Sequence, residues 1–243
     1  MSSKVEQFNQ PSHQKKDTEV FLHLPERAPS EDTSVEHLTS EEVKEREEIV
    51  ARIRQSIHIW IAEHIPDGET FNTRRLSALI KYIGTDHAED VNRITELFRN
   101  QEKYVSRPCV TLLKGEKGLF PDIELLGWRG AEGGDITEKT EVHDHMDSQA
   151  AIFVHEGMIR EKIFAFNQDD WKEGKPHLEY QEVRRELSQG STVGIAAPYI
   201  HEVFGIHDQP LAVTIHAYYP PLDEMNFYKI SGQKLVKVRH WKE

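Results

Sequence analysis

The spacing of apolar residues changes once along the chain, near Tyr104. Before that point they recur every three or four positions, as on one face of a helix. Ile49, Ile53, Ile57, Trp60, Ile61 and Ile65 form one such face. Leu76, Leu79, Ile80 and Ile83 form a second, and Val91, Ile94, Leu97 and Phe98 a third, within a helix expected over 86–104. Thr39-Ser40-Glu41-Glu42 opens the first helix, with hydroxyl caps and then acids that suit the positive end of the helix. Pro66-Asp67-Gly68 closes it. Asn72-Thr73 caps the second helix, and Gly84 is expected to stop it.

After Tyr104 the period falls to two. Strands are expected over 110–113, 123–128, 150–154, 158–164, 191–195, 211–216 and 234–238, with Gly, Asp, Asn and Pro between them. Seven or more short strands in succession predict a sandwich or barrel. Helices first and strands afterwards give an α+β order. Residues 1–40 are polar and carry three prolines. Such a segment buries too little apolar surface to offset the entropy of ordering it, so it is expected to be a flexible tail. Its one apolar stretch, over 20–25, could dock on the rest. A single domain is expected over 41–243, with helices over 41–104 and a β-barrel over 105–243.

Composition narrows the chemistry. Cys109 is the only cysteine, so neither an internal disulfide nor a cysteine-based zinc cluster can form. A metal here needs His, Asp or Glu. The formal charge of -12 disfavours nucleic acid, whose phosphates it would repel. No run approaches the roughly 20 apolar residues that span a bilayer, so no membrane is expected. The first residues lack the apolar core of a secretory signal, and the expected location is the cytoplasm. A monomer is the expected state.

The most informative segment is Glu141-Val142-His143-Asp144-His145-Met146-Asp147-Ser148. On a strand, residues two apart point to the same side, so His143 and His145 can reach one ion, while Asp144 points away. Gly157 follows twelve residues after His145. A second block, Gly190 to His201, has a glycine turn, a strand, Pro198 and then a histidine. The two blocks resemble the first and second motifs of the cupins, in which His201 would supply the third ligand. The usual cupin glutamate is missing, because Gln149 and Ala150 stand in its place. Three facial histidines leave up to three open positions on the ion.

Further motifs sharpen the resemblance. His143-Asp144-His145 with Asp147-Ser148 resembles the iron motif of cysteine dioxygenase, a thiol dioxygenase of the cupin superfamily. Thr214-Ile215-His216-Ala217-Tyr218-Tyr219-Pro220-Pro221 is similar to that family's Ser-x-His-x-Tyr-x-Pro-Pro segment, fifteen residues running from His201 to His216. Trp128 matches a family tryptophan. The resemblance implies a mainly β cupin barrel behind the helical segment, with Fe(II) on His143, His145 and His201. It also implies a relay of Thr214, His216 and Tyr218, and a substrate pocket at Arg107 and Tyr104, where Arg107 binds a carboxylate. The implied reaction is oxidation of a small thiol, cysteine or a related mercapto-carboxylate, by O2 to its sulfinate. Arg129, Arg160, Arg184 and Arg185 compete with Arg107 for the carboxylate.

The chain departs from the family at several points. Ala150 stands where many animal members carry the cysteine that cross-links to the tyrosine. Thr214 replaces serine, and the loops between 107 and 143 are longer. Two other readings remain open: a three-histidine cupin that cleaves carbon–carbon bonds, and a non-catalytic cupin that binds a metal or small ligand. Cys109 is expected to pack, and His155 and His207 to be structural or surface residues.

Overall fold

The computed structural model describes residues 38–66, 68–100, 108–130, 138–206 and 210–242. The tail up to residue 37, Tyr104, Arg107 and His207 lie outside them. The chain opens with α1 (Ser40–His64), α2 (Thr73–Asp86) and α3 (Ala88–Asn100). Thr39 caps α1 reciprocally: its hydroxyl accepts from the Glu42 amide, and the Glu42 carboxylate accepts from the Thr39 amide. Asn72 caps α2 by accepting from the Arg75 amide.

Gly84 does not stop α2, which continues to Asp86. Its role is close approach: a Cβ at this position would sit 2.1 Å from the Phe153 ring. Gly84→Ala is therefore expected to destabilise by about 1–3 kcal/mol through overpacking. That is opposite in sign to the gain that helix propensity alone predicts. Urea unfolding measures it, and an alanine variant more stable than the parent would contradict the packing argument.

The strands are β1 (Cys109–Leu113), β2 (Asp122–Trp128), β3 (Val142–Asp144), β4 (Gln149–Glu156), β5 (Met158–Phe166), β6 (His177–Ser188), β7 (Thr192–Ile195), β8 (Ile200–Gly205), β9 (Ala212–Tyr219), β10 (Glu224–Ser231) and β11 (Lys234–Lys242). A short α4 (Gln168–Lys172) lies between β5 and β6. All seven expected strands form. β3, β6, β8 and β10 are additional.

One sheet runs β1-β2-β9-β4-β7, and the other closes on itself as β10-β11-β6-β5-β8-β3. Every pairing is antiparallel. The architecture is mainly β, a cupin-type barrel with helices in front. β9 shows how the layers meet, since all eight of its residues are buried. Val213, Ile215, Ala217 and Tyr219 join the core shared with Leu76, Leu79, Ile80 and Ile83 of α2. Ala212 and Tyr218 belong to the separate core inside the barrel. Alternation along one strand thus feeds two cores, and it turns Thr214 and His216 inward with Tyr218. Among the described residues, no helix is long and apolar enough to cross a membrane.

Candidate metal centre

β3 sits between β10 and β8, and His143 pairs in register with Phe227 on one side and His201 on the other. His145 follows directly after β3, before Met146 turns the chain at a positive φ of 48°. These placements converge three buried imidazoles. The Nε2 of His145 lies 3.2 Å from the Nε2 of His143 and 3.2 Å from that of His201. Among the described residues they are the one group of His, Cys, Asp or Glu whose ligand atoms converge closely enough to hold a metal ion.

The far nitrogens settle which atoms face the centre. His143 Nδ1 lies 2.8 Å from the Glu141 carbonyl oxygen. His201 Nδ1 lies 2.7 Å from Glu161 Oε1. Both partners only accept, so each Nδ1 carries a proton and each Nε2 is the nitrogen turned toward the centre. Among the described residues, His145 Nδ1 is buried without a hydrogen-bond partner. Burial first, then His201, His143 and His216, push the His145 imidazole well below its ordinary pKa, so it stays neutral.

Three ring nitrogens turned toward one point can share a cation between them. Nitrogens 3.2 Å apart match neighbouring ligands of an ion held at about 2.1 Å. The donor set fits a divalent transition metal, with no carboxylate among its members.

Behind His201 stands Glu161, a fully buried carboxylate on β5. Arg185 Nε donates to its Oε2 at 2.5 Å, and the Tyr199 hydroxyl donates to its Oε1 at 2.9 Å. Burial alone would raise this carboxyl, but His201 and Arg185 outweigh burial and hold it at about 2. The sequence reading missed Glu161 and its role for Arg185. The available signal was an acid in line with Ile159 on a strand whose buried positions are otherwise apolar. Asp144 points away from the metal ligands, as expected, and is fully buried.

The opposite sheet carries the polar chain. Trp128 Nε1 donates to Thr214 Oγ1 at 2.7 Å. Thr214 Oγ1 lies 2.9 Å from His216 Nε2, and His216 Nδ1 lies 3.1 Å from the Tyr218 hydroxyl. The Tyr218 ring meets His145 edge-on, with centroids 5.1 Å apart. Thr214, His216 and Tyr218 therefore come together with the three histidines, and Trp128 joins them. Ala150 pairs directly with Tyr218 across β4 and β9. Glu124, also buried, pairs with His216 from β2.

The four competing arginines are all engaged. Arg185 holds Glu161, Arg160 holds Glu186, Arg184 holds Glu182, and Arg129 donates to the Phe98 carbonyl. His155 bonds Asn92 at 2.7 Å, and Cys109 is buried in the barrel core, so both pack as expected.

The family model of cysteine dioxygenase type I matches residues 89–231. The chain belongs to that family. All three histidines, Trp128 and the Thr214-His216-Tyr218 strand fall inside the match, as do Tyr104 and Arg107. Cysteine dioxygenase type 1 of Rattus norvegicus is 25% identical over 188 residues, covering 68% of this chain and 85% of the rat protein. The Mus musculus enzyme of the same name gives the same identity and coverage. Among solved structures, the Drosophila melanogaster CENP-C cupin domain overlays at a TM-score of 0.33 with 13% identity, covering 45% of this chain and 67% of that domain. An overlay that partial bears on neither fold nor function here.

Proposed function

We propose that the protein is a non-haem Fe(II) thiol dioxygenase. It oxidises a small thiol, cysteine or a related mercapto-carboxylate, with O2 to the sulfinate. The observation that carries this reading is the convergence of three imidazole nitrogens, without a carboxylate ligand, with the Tyr218 ring against His145. Family membership supports the reaction class. The stoichiometry closes without a further reductant. One RSH and one O2 give RSO2H, sulfur loses four electrons, O2 gains them, and both oxygen atoms end on sulfur.

His143, His145 and His201 would hold the iron. When bound, it would supply the redox chemistry that brings a thiol and O2 to reaction. The protein's own share is orientation and proton placement. Trp128 can only donate, so it occupies a lone pair of Thr214 Oγ1. The threonine hydroxyl then donates to His216 Nε2, and His216 Nδ1–H donates to the phenol oxygen. The Tyr218 ring meets His145, and its hydroxyl would stabilise negative charge developing beside the histidines. Ala150 has no sulfur, so Tyr218 acts as an unmodified phenol. Arg107 is the proposed anchor of the substrate carboxylate, because a guanidinium fork matches a carboxylate, and Tyr104 is a second proposed substrate-binding residue.

The test is O2 consumption by anaerobically Fe(II)-loaded protein with L-cysteine, 3-mercaptopropionate, cysteamine and mercaptosuccinate. Uptake matched by sulfinate names the substrate. No uptake with any thiol, from protein shown to contain iron, rejects the reading. With the active thiol, Tyr218→Phe should lower kcat by about 10²–10³-fold, the usual cost of one donor to a charged transition state. KM and metal content should stay near those of the parent. An unchanged kcat would remove Tyr218 from the chemistry.

A further inference from the structure

The three histidines are backed in three different ways. A neutral backbone carbonyl meets His143, none of the described residues meets Nδ1 of His145, and a buried carboxylate meets His201. The carbonyl behind His143 already fixes a tautomer without any charge. What Glu161 adds at His201 is therefore the charge itself.

That charge is costly to bury. Glu161 has no exposure, and its neighbour on the same face of β5, Ile159, is apolar. An apolar residue at position 161 would pack without the desolvation penalty of a carboxylate, so stability alone does not account for the acid. The structure instead surrounds it with donors. His201 Nδ1 and the Tyr199 hydroxyl reach Oε1, Arg185 reaches Oε2, and Arg185 Nη2 also donates to the Tyr199 hydroxyl at 3.2 Å. Arg185 is part-exposed, so the cluster leads from the surface to the ring of one ligand.

We propose that Glu161, clamped by Arg185 and Tyr199, is a positioning residue that makes His201 the anchoring ligand and supplies the negative charge the three imidazoles lack. The inference rests on the metal-centre reading above. A carboxylate on the outer nitrogen raises the basicity of the inner one and fixes the ring's orientation. Arg185 opposes it, drawing some of that charge away from His201. Removing Glu161 and removing Arg185 should therefore act on the centre in opposite directions.

The experiment compares full-length wild type with Glu161→Gln, Arg185→Gln and His201→Ala. Zn(II) and Co(II) affinities of the metal-free proteins are measured by chelator competition, and the reduction potential is measured on the iron-loaded forms. Thermal unfolding of the metal-free forms checks folding. Glu161→Gln keeps the shape and loses the charge. It should bind both metals about 10–100-fold more weakly and raise the potential, because loss of an anion favours the lower metal charge. Arg185→Gln should lower the potential and bind both metals at least as tightly as wild type.

Parental affinity in a folded Glu161→Gln would overturn the proposal. So would an equal loss of affinity in both variants, which would assign the cluster to packing. If Glu161→Gln fails to fold, Arg185→Gln decides alone, and an unchanged potential rejects the proposal. Wild type that binds neither metal, or His201→Ala that binds as tightly as wild type, would sink the metal centre itself and the inference with it.

Discussion

His145→Ala is expected to abolish metal binding and to cut thiol-dependent O2 uptake by at least about 10³-fold, equivalent to about 4 kcal/mol in the barrier. The Nε2 of His145 is the nitrogen placed 3.2 Å from both of the others, so its loss leaves only a pair of ligands. The fold should tolerate the change. Among the described residues, His145 Nδ1 makes no hydrogen bond, and its imidazole is buried at a cost. Truncation leaves a cavity, but it also removes an unpaired polar atom, and the two effects oppose. The metal-free variant should therefore unfold within a few degrees of the metal-free parent. Metal content after dialysis against Zn(II), paired with a thermal scan, separates the alternatives. A large stability loss with metal still bound would make His145 a packing residue and remove it from the ligand set.

Much of this was legible in the sequence because burial follows alternation. β1, β2, β4, β5, β7, β9 and β11 carry enough apolar alternation to be read directly. The strands that escaped hide it in different ways. β6 buries only Leu178 along its length and is otherwise half-buried or exposed, so its sequence reads as polar. β8 buries His201 and Glu202 beside Ile200 and Val203, which breaks the apolar pattern. β10 buries Asn226 between Met225 and Phe227. In β8 and β10 the residues that disguise the strand also serve the centre or its surroundings. Gly84 misled for a related reason. A glycine near a helix end signals a stop, but the same residue also admits a neighbouring ring, and only the packing of Phe153 tells the two apart.

The site divides along the same line. Candidate ligands at fixed spacing, His143 and His145, and a strand with polar residues at alternate positions, Thr214, His216 and Tyr218, are patterns within one segment. Glu161, Arg185 and Tyr199 come from separate stretches of chain and meet only because β5 lies between β6 and β8. No local spacing announces such a cluster. An acid at an inward position of an apolar strand was the available clue.

Asp144→Ala is expected to cost about 3–5 kcal/mol of folding stability and to weaken metal binding although Asp144 touches no ligand nitrogen. Asp144 is fully buried and accepts five hydrogen bonds. The amides of Met146 and Asn226 reach Oδ1 at 3.2 and 2.9 Å. Asn226 Nδ2, Trp171 Nε1 and the Tyr228 hydroxyl reach Oδ2 at 2.9, 3.1 and 2.7 Å. Burial and then the Asp144 carboxylate push the Tyr228 phenol above its ordinary pKa, so it remains a donor. Alanine would strand the Asn226 amide and the Tyr228 hydroxyl, both of buried residues, and leave Trp171 Nε1 and Asn226 Nδ2 only their weaker contacts to the Tyr228 oxygen and the Met146 sulfur. Asp144→Asn should fare only partly better, because an amide offers one accepting oxygen and turns its NH2 toward groups that already donate. The network ties β3 to β10 and α4 at the residue between His143 and His145, so its loss frees both rings from their shared direction. Denaturant unfolding should show a lower midpoint at unchanged slope, and metal titration a weaker site. A variant with parental stability would mean that water replaces the carboxylate among those five donors. Full metal affinity in a destabilised variant would mean that β8 and His201 alone hold the two histidines in line.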